Sequence, residues 1–132
     1  MTEITVKTHA RTDFVDITSE VADAIRKSGV TEGFCTVYVP HTTAGVTINE
    51  NADPSVRQDI ANALDELIPW NGRYSHSEGN SAAHVKATLT GFSVAIPIRN
   101  GHPALGTWQG VYFCEYDGPR TRKCVIGVTR CE

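Results

Sequence analysis

Most of the chain alternates apolar and polar residues with the period of two that is typical of β-strands. Residues 3–9 and 13–17 are separated by a turn-like sequence, which predicts that they pair as an antiparallel hairpin. Residues 106–116 and 123–129 flank Asp117-Gly118-Pro119-Arg120, which predicts a second hairpin. Further strands are predicted at 34–39 and 92–98, with a short one at 47–48.

Three stretches change to the helical period. Either Thr18 or Ser19 is expected to cap the first helix, which ends at Gly29, and Asp53 to cap the second. The second has Pro54 at its first position, an apolar stripe from Val56 to Leu67, and Pro69 beyond its end; a short third helix covers 81–89. Two main helices among about seven strands predict one α+β domain over residues 1–132, built as a two-sheet β-sandwich.

Composition narrows the classes of partner. The chain has 132 residues and a net charge of -3, so there is no electrostatic argument for binding nucleic acid or an anionic membrane. No apolar run approaches the roughly 20 residues needed to cross a bilayer, and residues 1–5 lack the apolar core of a signal peptide. We therefore expect a cytoplasmic protein that uses neither membranes nor nucleic acids as partners.

The cysteines are expected to be reduced. Cys35, Cys114, Cys124 and Cys131 include no C-x-x-C pair, and two of them lie within apolar strand patterns. In a chain without a signal peptide, buried thiols acting as small hydrophobic residues are favoured over a disulfide.

The segment 40–51 has the highest density of polar side chains between two predicted core elements. It begins at the end of a strand with His41, Thr42 and Thr43, and it reaches Asn49 and Glu50 before the second helix. Buried polar groups need partners. Three kinds of partner could satisfy these groups: a ligand, a metal, or other polar groups of the same segment. The backbone around the threonines could also expose N–H groups to a phosphate.

Three histidines are candidate metal ligands. His41 lies at a strand end, His76 in a polar loop with Glu78 close by, and His84 on the short helix. Three imidazoles can hold Zn²⁺ and leave a position for water or substrate. However, the spacing of His76 and His84 matches no standard metal signature, so hydrogen bonding within the fold is the competing interpretation.

Other residues are candidates for substrate chemistry. Glu50 could act as a general base, because neither capping nor a solvated helix face explains it. Lys86 and Arg99 could pair with an anion or simply be solvated. At the start of a strand, Trp108 could anchor in the core while the side-chain amide of Gln109 points outward.

The order of several motifs resembles that of the YjbQ-like family. The first block is Pro40-His41-Thr42-Thr43-Ala44 followed by Thr47-Ile48-Asn49-Glu50-Asn51 and Asp53-Pro54, and the second is Glu78-Gly79-Asn80 with Ala83-His84-x-Lys86-Ala87. The third contains Leu105-Gly106-Thr107-Trp108-Gln109 and Glu115-Tyr116-Asp117-Gly118-Pro119-Arg120. The resemblance implies a homotrimer of β-sandwiches with helices and a histidine-lined site that binds a metal.

This resemblance also implies a function. The family is associated with a weak, secondary thiamine-phosphate synthase activity, in which a pyrimidine pyrophosphate is joined to a thiazole phosphate. We therefore expect a metal-assisted enzyme acting on a small phosphorylated molecule, with a divalent metal, Zn²⁺, as its cofactor. The alternative is a non-catalytic trimeric module that binds a metal or a small anion. The expected metal ligands are His41, His76 and His84; the catalytic residues Glu50 and Lys86; and the substrate-binding residues Thr42, Thr43, Asn49, Arg99, Trp108 and Gln109.

Overall fold

The structure is a computed structural model, and it describes residues 1–131. This part of the chain forms eight strands and three helices. In chain order they are β1 (Thr2–Lys7), β2 (Asp13–Asp16), α1 (Thr18–Ser28), β3 (Glu32–Tyr38), β4 (Ala44–Glu50), α2 (Pro54–Leu67), α3 (Ser81–Thr90), β5 (Ser93–Arg99), β6 (His102–Pro103), β7 (Gln109–Glu115) and β8 (Thr121–Arg130).

The strands form two antiparallel sheets, which confirms the α+β class. One sheet has five strands in the order β1-β8-β3-β5-β6, and the other has three in the order β2-β7-β4. Both predicted hairpins are wrong, because β1 pairs with β8 while β2 pairs with β7. Apart from β5 and β6, which pair with each other, consecutive strands therefore lie in different sheets.

The inner faces of the two sheets enclose the main hydrophobic core. Strand β7 shows the arrangement best, because Val111 and Phe113 belong to this core whereas Tyr112 and Cys114 belong to a second cluster with Ala83 of α3. Successive side chains of a strand point to opposite faces. The three-stranded sheet is thus covered by the five-stranded sheet on one side and by helical residues on the other.

The helices follow their local signals closely. Asp53 accepts a hydrogen bond from the Ser55 backbone at 2.9 Å and caps α2, as predicted, and Gly29 ends α1 with a left-handed φ of 72°. The predicted cap of α1, Thr18 or Ser19, is wrong, because Ile17 occupies the cap position and makes no side-chain capping bond. Within residues 1–131, no helix has the length and apolarity needed to cross a membrane.

All four cysteines are free thiols. Three are buried and Cys131 is exposed. Burial raises the pKa of Cys35 and Cys124 to about 11 and that of Cys114 to about 12. These three thiols are accordingly protonated at neutral pH and act as apolar core residues.

Candidate functional site

A cavity of about 510 Å³ opens at the end of the sandwich where the chain crosses between the sheets. Two of its walls are crossing connections: residues 40–43 link β3 to β4, and the turn after β7 leads into β8. The loop before α3 and the first turns of α3 form the third wall. We call this the histidine cavity; its lining residues are Pro40, His41, Thr42, Thr43, His76, Glu78, Asn80, His84, Asp117, Arg120 and Arg122.

His41 is held by a backbone hydrogen bond from the neighbouring strand. The Lys123 N–H donates to Nε2 of His41 at 2.9 Å. A neutral imidazole whose Nε2 accepts carries its proton on Nδ1. Burial, and then the positive charge of Arg122, lower the pKa of His41 below its ordinary value of 6.5. In this arrangement His41 is a neutral hydrogen-bond donor, and its Nε2 lone pair is already used.

His76 and His84 form a close pair across the cavity from the loop and from α3. Their ring centroids lie 5.4 Å apart with the ring planes at 88°. Oε1 of Glu78 is 3.8 Å from Nε2 of His76. The Gly79 N–H donates to the His76 carbonyl at 3.1 Å, and this turn holds His76 and Glu78 on the same side of the loop. The pair and its carboxylate are therefore the part of the cavity with the chemistry of a metal site.

Asn80, at the N-terminal cap position of α3, joins the loop to the β7–β8 turn. Its Nδ2 donates to Asp117 at 2.9 Å, and Asp117 also pairs with Arg120 at 3.1 Å. The Oδ1 atom of Asn80 is buried and has no hydrogen-bond partner within residues 1–131. An unpaired buried acceptor is costly, so this atom provides a position for a donor from a ligand or a water molecule.

The floor of the cavity is a buried ion pair. Arg122 donates from Nε to Glu115 at 2.8 Å and forms a second, short hydrogen bond through Nη2. Nη2 also donates to the Thr43 hydroxyl at 2.8 Å. Arg122 thereby connects β8, β7 and the β3–β4 connection beneath His41, and the carboxylate of Glu115 balances its charge.

Four predicted site residues lie far from this cavity within the chain. Glu50 is at the opposite end of β4 from Ala44, about 20 Å along the strand. Its carboxylate accepts from the Ala52 N–H at 3.1 Å, so Glu50 shapes the turn before α2 and does not adjoin His41. The others gather at the same end, with Asn49 beside Glu50, Gln109 paired with Glu50 across the sheet, and Trp108 just before Gln109.

Two further predicted residues also lie elsewhere. Lys86 is buried and pairs with Asp65 of α2, because it lies about 200° around α3 from His84. Arg99 is at the end of β5 that pairs with Glu32, whereas the chain reaches His41 from the other end of β3. The structure therefore unites His41, His76, His84, Thr42 and Thr43 in one cavity and leaves the remaining predicted site residues outside it.

Four lining residues of the histidine cavity were not predicted from the sequence, namely Asn80, Asp117, Arg120 and Arg122. Asp117 and Arg120 lie in a turn motif that was attributed to a hairpin, although two opposite charges three residues apart were a usable signal. Arg122 alternates in phase with Cys124 and Ile126, the buried residues of β8, so a charged residue on an apolar strand face was the available signal.

The three histidines do not converge as a preformed metal centre. Among residues 1–131, no three His, Cys, Asp or Glu side chains stand at metal-ligand spacing. The bond from Lys123 to His41 accounts for part of this, since it turns Nε2 of His41 toward the strand.

The fold and the cavity define a class: an α+β sandwich of two antiparallel sheets with a histidine-lined cavity where the strands change sheet. The chain belongs to the YjbQ-like UPF0047 family, whose model, described as "UPF0047 protein YjbQ-like", matches residues 2–131. The family suggested by the motifs is thus confirmed.

Individual relatives agree with this assignment. UPF0047 protein MJ1081 of Methanocaldococcus jannaschii is 54% identical over 123 residues, which cover 93% of this chain and 89% of the relative. UPF0047 protein YugU of Bacillus subtilis is 51% identical, covering 92% of each chain. A crystal structure of an uncharacterized conserved protein of the family from Clostridium acetobutylicum superposes with a TM-score of 0.97 at 52% identity, covering 98% of this chain and 100% of that one.

Proposed function

We propose that the histidine cavity holds a divalent cation, Zn²⁺, beside a small phosphorylated molecule, and that the protein is a metal-assisted enzyme acting on such molecules. The observation that carries the proposal is the pair His76 and His84, which faces Arg120 and Arg122 within one cavity. A metal ligand pair and phosphate-binding cations in one cavity are the two parts that such chemistry needs.

The spacing of the histidine pair fits a zinc site. Two imidazoles that bind one tetrahedral Zn²⁺ at about 2.0 Å have ring centres roughly 5 Å apart. The observed separation is 5.4 Å, and Glu78 is close enough to complete the set after a small movement of its side chain. Because Glu78 and His76 are exposed, that movement disturbs no buried packing.

The other lining residues then have distinct roles. Bound Zn²⁺ would supply a Lewis acid that stabilises negative charge on a departing phosphate group. Arg120 offers a guanidinium to phosphate oxygens, and the Nδ1–H of His41 offers a neutral donor. The unpaired Oδ1 of Asn80 accepts a hydrogen bond from a ring N–H or amino group of the ligand.

Thiamine phosphate synthesis is the particular reaction that we propose to test. The ring nitrogen of the thiazole phosphate forms a bond to the methylene carbon of the pyrimidine pyrophosphate. The bond from that carbon to oxygen breaks, pyrophosphate leaves with the electron pair, and the nitrogen becomes positively charged. The step needs no external oxidant, reductant or proton, so charge stabilisation and positioning are the main contributions of the protein.

A non-catalytic anion-binding module is the second candidate, and the state of His41 favours it. With Nε2 occupied by the Lys123 N–H, His41 presents a donor and not a ligating lone pair. A donor imidazole together with the half-exposed guanidinium of Arg120 suits a phosphate without any metal.

Zinc binding and turnover in the same variants separate these possibilities. Because His76 and His84 are the paired imidazoles, we expect wild type to bind one Zn²⁺ per chain, and His84→Ala to bind it at least about 100-fold more weakly. The measurements are calorimetric titration of tag-free protein and pyrophosphate release from the two heterocyclic substrates. The matched control is His102→Ala, which removes an exposed imidazole outside the cavity.

Equal zinc content in wild type and His84→Ala would refute the metal site. Zinc-dependent turnover that is lost in His84→Ala supports the enzyme. Saturable phosphate binding without turnover supports the module.

We also propose that the protein is a homotrimer in the cytoplasm. Helix α2 has no buried residue, and Leu67 at the end of its apolar stripe is 75% exposed. The stripe therefore remains partly uncovered in one chain, as at subunit interfaces. Light scattering is expected to give three times the chain mass of 14.4 kDa; a monomer mass at micromolar concentration would reject the trimer.

A further inference from the structure

We propose that a second cavity, on the other side of α3 from the histidine cavity, binds a small phosphate-bearing anion. This cavity has a volume of about 590 Å³ and shares no lining residue with the histidine cavity. We call it the Lys86 cavity; its lining residues are Ala10, Arg11, Thr12, Asp65, Pro69, Trp70, Asn71 and Lys86.

Lys86 brings a buried charge with spare hydrogen-bonding capacity to this cavity. Its side chain is only 4% exposed, and its ammonium group pairs with Asp65, which is itself 59% exposed. An ammonium group has three N–H donors, and Asp65 is its sole acceptor within residues 1–131. Two donors of a nine-tenths buried cation therefore need acceptors, and the cavity is where such acceptors can be placed.

Arg11 supplies a second cation on the facing wall. Its guanidinium lies 4.1 Å from the centre of the Trp70 ring, and no carboxylate or hydrogen-bond acceptor pairs with it in the described part of the chain. Stacking on an aromatic face fixes the plane of a guanidinium while leaving its N–H edge free for oxygen acceptors. Arg11 is thus preorganised for a planar or tetrahedral oxyanion.

The charge balance favours an anion over a cation. Lys86 and Arg11 contribute two positive charges to the lining, and Asp65 contributes the one negative charge. Thr12 and Asn71 add neutral polar groups at the rim. A phosphate monoester has enough oxygen acceptors for both cations, and the volume leaves room for an organic group beyond the phosphate.

Lys86 belongs to the motif Ala83-His84-x-Lys86-Ala87 but does not line the histidine cavity. His84 and Lys86 are two residues apart, and the helical period directs them to opposite sides of α3. One short helix therefore forms a wall of both cavities. The proposal does not depend on zinc or catalysis in the histidine cavity.

Trp70 provides a local signal for the test. The chain has two tryptophans, so in a Trp108→Phe background the fluorescence reports on Trp70 alone. We expect inorganic phosphate, titrated at constant ionic strength with chloride, to change this fluorescence saturably. Arg11→Gln should weaken the apparent affinity at least about tenfold, because it removes a charge-assisted hydrogen bond from an exposed side chain.

Three further variants complete the design. Arg26→Gln removes an exposed arginine on α1 and should leave the affinity unchanged, as should His84→Ala, which belongs to the other cavity. Lys86→Met should abolish the saturable change, and if it does not fold, Arg11→Gln remains decisive. A response that does not saturate, or equal affinity in Arg11→Gln and Arg26→Gln, would overturn the proposal. If only His84→Ala lost the saturable fluorescence change, the phosphate would be bound in the histidine cavity, and this result would also overturn the proposal.

Discussion

Replacing Glu115 by glutamine is expected to lower the free energy of unfolding by about 3–5 kcal/mol. Glu115 is fully buried and Arg122 is only 3% exposed, so the glutamine variant would leave a guanidinium without its counter-charge inside the protein. Small domains are stable by only about 5–15 kcal/mol. The variant should therefore unfold at a much lower urea concentration, which circular dichroism measures directly.

The pH dependence gives a second signature of this pair. Burial alone raises the pKa of Glu115, but hydrogen bonds from Arg122, Asp117 and Thr8 outweigh it and hold the pKa below its ordinary value of 4.5. The folded state then binds the proton less readily than the unfolded state. The stabilisation is fully present above pH 4.5 and is lost as the pH falls through the folded pKa. Glu115→Gln should lack this component of acid unfolding.

Two comparisons show whether the loss of stability in Glu115→Gln comes from an unpaired charge. The double variant Glu115→Gln/Arg122→Met should be more stable than Glu115→Gln, since it removes the orphaned guanidinium. Arg26→Gln, which breaks an exposed pair with Asp23, should change stability by less than about 1 kcal/mol. If Glu115→Gln were no more harmful than Arg26→Gln, the ion pair would not hold the floor of the histidine cavity.

Gly45→Ala is expected to cost about 3 kcal/mol, because a backbone carbonyl occupies the space that a methyl group would need. A Cβ atom at Gly45 would lie 2.5 Å from the Gly91 oxygen, just beyond the end of α3. The same oxygen accepts a hydrogen bond from Val46 at 3.1 Å, so it cannot move away without breaking that bond. Thermal unfolding of the two proteins measures the cost.

Gly106→Ala is the matched control for that substitution. The nearest atom to its added Cβ is Oε1 of Gln109 at 3.3 Å, at the end of a flexible side chain. We expect a change within about 0.5 kcal/mol. Equal stability of Gly45→Ala and wild type would contradict the close approach of α3 to β4.

Helices were more predictable than strand partners. Asp53-Pro54 and Gly29 act through bonds and dihedral angles within one turn, so their signals are complete in the local sequence. The pairing of β1 with β8 joins opposite ends of the chain. Alternation predicts that one face of a strand is buried, but it does not specify which other strand buries it.

The candidate site was also only partly predictable from the sequence. The polar segment after β3 and the histidine at the start of α3 were visible in the sequence, because polar groups next to core elements need partners. Their meeting with Arg120 and Arg122 depends on two connections that cross between the sheets at the same end of the sandwich.

The sequence by itself determined the α+β class, the helices and the family, and it marked His41, His76 and His84 as belonging together. Only the tertiary structure decided that Glu50 lies at the far end of β4 and that Lys86 faces a different cavity. The physical reason is geometric. Residues in one motif are separated by about 3.4 Å per position along a strand and by about 100° per position around a helix, so closeness in sequence does not place them in one site.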